Sequence, residues 1–398
     1  MSFPGAPFSS PLYVMAKPAG SLCNMRCRYC YYLEKSKYYP GARPFMSDDV
    51  LENFIRQYIE AQTMPAVMFT WHGGESLLRT PDFYRKVLRL QRKYARWIHV
   101  DNCIQTNGTK LTDEWCRFFK DNGWLVGVSV DGPRELHDAY RLKADGSGSF
   151  DDVMRGIELL DRHGVEWNAM AVVNDLVAQH PGEFYSFFRD IGCRYIQFAP
   201  IVERISAKGI ATADETAPIA PFSVTPHAWG EFLCALFDLW VRADVGKTFI
   251  QIFDATLANT VGVEPGLCTM GRTCGHAAVI EHNGDLYSCD HFVFPEYRLG
   301  NILDSSVFEM MDSPVQRRFG DAKLASLPAQ CRRCPWLRLC NGECPKNRFA
   351  ISEDGEPGLN YLCSGYRRFF AHTAYAMAYM RNELLARRSP ASVMNLYR

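Results

Sequence analysis

Three cysteines written CNMRCRYC, at positions 23, 27 and 30, directly follow an apolar stretch that reads as a β-strand, Leu12 to Lys17. Spacings of three and then two residues put three thiols on one short loop. Three thiolates can bind three irons of a 4Fe-4S cluster and leave the fourth iron open to a small ligand. A structural zinc site asks for four protein ligands, and no nearby fourth Cys or His completes this set. Zinc is the competing assignment.

The chain of 398 residues contains 15 cysteines. An odd count fits poorly with a fully paired disulfide framework. The first twenty residues show no basic start followed by an apolar run and a small-residue cleavage site, so a cytoplasmic protein is expected. In a reducing compartment disulfides do not persist, which turns the reading toward metal or redox chemistry. Lys plus Arg number 44 and Asp plus Glu 44, so no basic surplus points to a nucleic acid or an anionic membrane as partner. Apolar runs such as Trp124 to Val126 are too short to span a bilayer.

The first half alternates short apolar segments with amphipathic ones, the pattern of strand-helix repeats around a parallel sheet. The strands are expected at Leu12 to Lys17, Ala66 to Trp71, His99 to Gln105, Trp124 to Val130, Val165 to Val173 and Arg194 to Ala199. Helices fall between them, the first capped by Ser47, with others at Asp82 to Arg96, Thr112 to Asn122, Asp151 to His163 and Glu183 to Asp190. Ligand sites in such folds collect at the carboxyl ends of strands. Here those ends read CNMRCRYC, HGGE, QTNG, SVDG, VVND and APIV. Any one of them is an ordinary turn; the set converges Gly, amide and carboxylate groups on one face.

From Pro200 to Pro226 the composition shifts to Ala, Pro, Thr and Ser and reads as an exposed loop or linker, after which Phe232 to Val241 resumes helical periodicity. Beyond Glu264 lies a loop-rich region with eight cysteines between Cys268 and Cys363 and an Asn283-Gly284 hairpin signal. Gly365 to Arg388 reads as a helix. The expected division is 1–225 for the strand-helix domain, 226–263 for a helical connector, 264–363 for the cysteine-rich domain and 364–398 for the C-terminal helix.

With Tyr29 inside it, the CNMRCRYC loop resembles the radical S-adenosylmethionine superfamily, and the six strand-helix units resemble that family's α/β partial (β/α)6 barrel. The resemblance implies that Cys23, Cys27 and Cys30 hold a 4Fe-4S cluster whose open iron binds S-adenosylmethionine. Reductive cleavage of that cofactor yields a 5′-deoxyadenosyl radical. Gly73, Gly74 and Glu75 match the family's GGE segment, and the resemblance assigns cofactor contacts to Gly74, Ser129, Arg141, Tyr29 and Val202. A glycine lets backbone approach a ligand closely, and an arginine offers a planar fork to a carboxylate.

Eight distal thiols suffice for two fully ligated clusters or for two zinc sites with four cysteines each, and spacing alone leaves both open. The run C-x2-C-x5-C-x3-C from Cys331 with a later cysteine resembles the auxiliary-cluster (SPASM) domain of radical enzymes that modify peptides. That resemblance implies one cluster on Cys268, Cys274, Cys289 and Cys344 and another on Cys331, Cys334, Cys340 and Cys363. Cys103, Cys116, Cys193 and Cys234 read as buried structural thiols.

The segments PLYVMAKPAGSLCNMRCRYCYYLEK, FTWHGGES, CIQTNGT, LVGVSVDGP, YSCDHFVF, RLGNI, CNGECPKNR and LNYLC together resemble the anaerobic sulfatase-maturating enzymes over nearly the whole chain. Such enzymes oxidise one cysteine or serine of a sulfatase to Cα-formylglycine. The resemblance implies as partners an unfolded or nascent sulfatase bearing C/S-x-P/A-x-R and an electron donor such as flavodoxin or ferredoxin. Asp290, next to Cys289, matches the family's catalytic aspartate and is the expected base. Tyr32, His72 and His291 are further candidates for substrate or cofactor contact. The alternatives are a radical maturase forming thioether or carbon-carbon crosslinks and, from another class, a zinc-ribbon binding module.

Overall fold

A computed structural model describes residues 12–41, 44–206, 209–210 and 217–397. The six expected strand-helix units are present. They run β1 (Tyr13–Ala16), α1 (Asp48–Glu60), β2 (Ala66–Trp71), α2 (Pro81–Tyr94), β3 (His99–Thr106), α3 (Asp113–Asp121), β4 (Leu125–Ser129), a short α4 (Arg134–Asp138), α5 (Phe150–His163), β5 (Trp167–Val173), α6 (Pro181–Asp190) and β6 (Tyr195–Pro200). Then come β7 (Ile205–Ser206), β8 (Gly209–Ile210), α7 (Pro226–Ala243), β9 (Phe249–Ile250), α8 (Gln251–Val261) and three strands β10 (Ala277–Ile280), β11 (Asp285–Tyr287) and β12 (Arg298–Asn301). A long helix, Cys363–Leu385, closes the chain's regular structure.

Local chemistry explains the helix starts. Ser47 accepts a hydrogen bond from the Val50 N–H at the head of α1, and Thr112 does the same for Trp115 at the head of α3. These caps satisfy N–H groups that no helical carbonyl can reach. Gly164 ends α5 in a left-handed conformation, φ 62°, which only glycine adopts without strain.

The chain divides into two compact units. The first takes the described residues of Met1–Ser129, Arg141–Trp167 and Gly275–Asp321; the second takes those of Val130–Tyr140, Asn168–Cys274 and Ala322–Arg398. In the first, the strands lie in the order β12-β11-β10-β1-β2-β3-β4. β1 to β4 are parallel, and β10 adds to β1 in parallel through the register Tyr13↔Ala277 to Ala16↔Ile280. β10 and β11 form the hairpin expected around Asn283-Gly284, with Gly284 at φ 92°. Sequence order places this hairpin in the cysteine-rich domain; backbone pairing to β1 places it in the unit that carries the first cysteine loop. The core beneath β2 is aromatic: Phe54, Tyr58, Phe69, Trp71 and Tyr84 are fully buried, with Tyr58 edge-on to Phe69 at 4.9 Å between ring centres.

In the second unit β5, β6 and β9 are parallel neighbours. Phe184, Phe198, Trp229 and Phe232 pack there, the last pair stacked at 6.0 Å. The exposed linker expected over Pro200 to Pro226 is corrected by its described part. Val202, Glu203, Ala217, Ala220 and Val224 are buried, and the Ala220 N–H donates to the Glu203 carbonyl at 2.8 Å. Small Ala and Pro side chains there fit a packed return of the chain, which composition alone reads as solvent-exposed. Residues 207–208 and 211–216 of that stretch lie outside the described residues.

Candidate functional site

None of the fifteen cysteines, all of them among the described residues, forms a disulfide. The loop after β1 gathers Cys23, Cys27 and Cys30. The Cys30 N–H donates to the Cys27 carbonyl at 3.1 Å. Cys23 Sγ accepts from the Met25 N–H at 3.3 Å and from Asn107 Nδ2 at 3.8 Å. Cys30 accepts from the backbone N–H groups of Leu33 and Tyr32, with the charges of Arg141 and Lys17 nearby. N–H donors aimed at sulfur stabilise thiolate and tune a cluster's potential. Burial pushes the free Cys23 thiol up to about 11, so a proton leaves it readily only when a metal takes the proton's place.

The HGGE turn is stitched onto this loop. The Gly74 N–H donates to the Gly20 carbonyl and the Glu75 N–H to the Leu22 carbonyl, each at 2.8 Å. A Cβ on Gly74 would collide with the Leu22 carbonyl, so glycine is required there for the fold of the loop itself. Buried Glu75 accepts from the Leu77 N–H at 2.8 Å, the Thr106 hydroxyl at 2.7 Å and the Asn107 N–H at 2.8 Å, tying the end of β2 to the end of β3. Ser129, at the end of β4, has its hydroxyl held by Gln105 Nε2 at 2.9 Å. The Arg141 guanidinium lies 5.6 Å from the centre of the Tyr29 ring, and the Leu142 carbonyl accepts the Arg26 N–H at 2.8 Å. Gly74 and Arg141 are thus anchored to the cysteine loop that carries Tyr29, and Ser129 to β3, all within one unit. Val202 lies in the second unit, where its carbonyl accepts from Lys346 Nζ at 3.0 Å and the same ammonium pairs with buried Glu203.

Asp290 also belongs to the first unit. Its carboxylate pairs with Lys17 Nζ at 2.6 Å and accepts from the Tyr31 hydroxyl at 2.8 Å. Lys17 is fully buried at the end of β1; its ammonium also lies 4.2 Å from the Tyr32 ring centre and 3.4 Å from His72 Nδ1. Desolvation pushes the Asp290 carboxyl up, but the Lys17 ammonium above all pulls it further down, and it ends well below the usual carboxylate range. Desolvation and the Lys17 charge push His72 down to about 3, so its ring is neutral at neutral pH. Its Nδ1 accepts the Gly73 N–H at 2.7 Å.

Sequence reasoning missed Lys17 and Tyr31. A charged residue closing an otherwise apolar strand was the only signal for Lys17, and its partner is remote in sequence. Of the two adjacent tyrosines, Tyr31 meets Asp290, whereas buried Tyr32 donates to Glu281. His291 packs edge-on to Tyr31 at 5.9 Å. Of the four thiols expected to be buried, Cys116, Cys193 and Cys234 are, while Cys103 is half-buried, 3.0 Å from the Thr70 hydroxyl.

The second unit gathers Cys331, Cys334, Cys340 and Cys363 around a cavity of about 220 Å³ floored by Gly342, Trp336 and Tyr366. Cys340 accepts from the Gly342 N–H. Cys268, Cys274 and Cys344 are in this unit too, and Cys289 is in the first. Among the described residues no three Cys, His, Asp or Glu groups close in on a single ion. Four thiols lining one cavity suffice to ligate a cubane fully, one sulfur to each iron.

The comparisons agree with this geometry. Residues 18–188 match the model of the radical SAM superfamily, and residues 268–335 match that of the SPASM iron-sulfur cluster-binding domain. The fold and its cysteine sets are therefore those of a radical S-adenosylmethionine protein: a partial (β/α)6 barrel with an auxiliary-cluster domain, an S-adenosylmethionine-binding 4Fe-4S cluster and auxiliary clusters. The chain is 59% identical over 397 residues to a serine-type anaerobic sulfatase-maturating enzyme of Bacteroides thetaiotaomicron, covering 98% of this chain and 96% of the relative. It is 34% identical to a cysteine-type anaerobic sulfatase-maturating enzyme of Clostridium novyi, covering 94% and 99%. A solved structure described as native anSMEcpe with bound AdoMet and Cp18Cys peptide superposes with a TM-score of 0.83 at 31% identity, covering 94% of this chain and 100% of that one. Within the radical S-adenosylmethionine proteins, the chain belongs to the anaerobic sulfatase-maturating enzymes.

Proposed function

We propose that this protein oxidises a cysteine or serine in an unfolded or nascent sulfatase, within a C/S-x-P/A-x-R segment, to Cα-formylglycine. The observation that carries the reading is the buried Lys17, which lies within charge reach of the Cys30 thiol and 2.6 Å from Asp290. One cation thus couples the radical-cluster loop to the expected base. When bound, the cluster and cofactor supply a 5′-deoxyadenosyl radical that takes hydrogen from the substrate Cβ, and an auxiliary cluster accepts the second electron.

The chain's own residues do the rest. Cys23, Cys27 and Cys30 hold the first cluster; Gly74, Ser129, Arg141, Tyr29 and Val202 hold the cofactor. Asp290 accepts the proton of the substrate thiol or hydroxyl; serine then gives the aldehyde directly, whereas the thioaldehyde from cysteine takes its oxygen from water and releases sulfide. Held below the usual carboxylate range, the Asp290 carboxyl is ionised at neutral pH; Lys17 and Tyr31 fix its direction, and the same Lys17 charge lowers its strength as a base. Cys331, Cys334, Cys340 and Cys363 ligate one auxiliary cluster and Cys268, Cys274, Cys289 and Cys344 the other. Full cysteine ligation suits electron transfer. A flavodoxin or ferredoxin delivers the first electron, and the cytoplasm provides the reducing surroundings the thiols need. Among the described residues no helix is long and apolar enough to cross a membrane. The functional division follows chain order: barrel to 225, connector to 263, auxiliary-cluster domain to 363 and the C-terminal helix.

The test is an anaerobic assay of reconstituted protein with reductant, S-adenosylmethionine and paired peptides carrying Cys or Ser. Aldehyde together with 5′-deoxyadenosine is the expected result, and the two peptides rank the substrates. Deoxyadenosine with a crosslinked or unchanged peptide would overturn the assignment of the reaction.

A further inference from the structure

Between Cys340 and Cys344 the backbone makes an unusual turn. Asn341, Gly342 and Glu343 are all left-handed, with φ of 48°, 71° and 55°. Two of the three are not glycine, a conformation that L residues disfavour and that persists only where surroundings enforce it. Arg348 enforces it. Its Nε donates to the Gly342 carbonyl at 2.8 Å, and its Nη2 to the carbonyls of Asn341 at 3.0 Å and Glu343 at 3.1 Å. Its Nη1 donates to the Lys323 carbonyl. Lys323 is itself fully buried and sends its ammonium to the carbonyls of Cys268 and Thr269, both at 2.8 Å.

One guanidinium therefore grips the turn that spaces Cys340 from Cys344 and the helix that holds the Cys268 loop. These cysteines fall in different proposed clusters, and the Arg348 charge acts on thiols of both, Cys331 and Cys340 of one and Cys274 and Cys344 of the other. A Cβ at Gly342 would run into the guanidinium, so the turn and the fork are built against each other. Arg348 is always ionised, and a fixed cation beside a cluster favours its reduced, more negative state.

We infer that Arg348 is a positioning residue for both auxiliary clusters: it holds the left-handed turn between their ligands, and its charge sets the potential at which each accepts an electron. This rests on the assignment of the two cysteine sets to clusters. The test uses the full chain with Cys23, Cys27 and Cys30 changed to Ala, so that only the auxiliary pair is read, and compares Arg348→Lys and Arg348→Gln within it. Iron, acid-labile sulfide and an EPR-monitored redox titration are measured under anaerobic conditions. The expected result is that Arg348→Gln lowers the midpoint of both clusters, by about tenfold in the one-electron equilibrium or about 59 mV, while Arg348→Lys, which keeps the charge but not the fork, holds the midpoints near the parent and retains less iron. Failure of Arg348→Gln to keep iron while Arg348→Lys keeps it also supports the role of charge.

Unchanged midpoints with full iron in Arg348→Gln, or equal midpoint shifts in both variants, would overturn the inference. A parent chain without iron would instead overturn the cluster assignment on which it rests.

Discussion

Replacing Lys17 with Met strips the buried partner from Asp290. The two charges sit 2.6 Å apart, with Lys17 1% and Asp290 20% exposed. At that distance and an effective dielectric near 20, their attraction is about 6 kcal/mol. Desolvating both ions offsets roughly half of it, and stripping one partner from such a pair costs about 3 kcal/mol. Most of that penalty comes from the carboxylate left alone, so Lys17→Met combined with Asp290→Asn should be more stable than Lys17→Met itself. Anaerobic urea denaturation of the four chains in this cycle measures the coupling. The pH dependence has a definite sign. Asp290 is held below its unfolded value, so the pair stabilises fully above the ordinary carboxylate pKa of about 3.9 and loses this contribution only as pH falls through the lowered value. The Lys17→Met penalty should therefore be constant from pH 6 to 8. Additive single and double changes, or a Lys17→Met chain within about 0.5 kcal/mol of the parent, would refute the buried pair as a source of stability.

The remaining expectations address the chemistry. Asp290→Asn should still cleave S-adenosylmethionine but form aldehyde at least about 100-fold more slowly, the usual contribution of a general base; unchanged aldehyde formation by mass spectrometry removes Asp290 from that role. Gly74→Ala forces a Cβ into the Leu22 carbonyl and should abolish cofactor binding, read by equilibrium dialysis with labelled S-adenosylmethionine. His72 is pushed down to about 3 from 6.5, so folding holds it neutral while the unfolded chain takes up a proton below about 6.5. Stability should fall with acidification from pH 6.5, and His72→Gln should flatten that part of the slope in a melting series. Cys331→Ala should remove about four irons per chain while leaving S-adenosylmethionine cleavage in place, as counted by iron analysis beside a deoxyadenosine assay.

Much of this protein was legible before any tertiary contact was known. Apolar runs bounded by turn residues marked β2 to its ends and β1, β3, β4, β5 and β6 to within two residues, because the buried positions of each strand recur along a short segment flanked by turn residues. Ser47 and Thr112 announced the helices they cap. The Cys23, Cys27 and Cys30 loop was visible because its three ligands lie close enough in sequence that local geometry alone brings them together.

What local pattern could not reach are contacts between residues distant in the chain. β10 joins β1 across more than two hundred residues, and only that pairing brings Asp290 to Lys17. A periodicity argument could not choose between Tyr31 and Tyr32 as the partner of Asp290, since neighbouring side chains differ only in which way the loop turns them. The grip of Arg348 on the Asn341–Glu343 turn was hidden for a similar reason: backbone carbonyls carry no sequence signature. Composition and spacing determined which strand-helix elements form and that Cys23, Cys27 and Cys30 share one loop, since these depend on near neighbours. The environment of each charge was decided by tertiary packing, because burial and Coulomb partners belong to the folded arrangement of the chain.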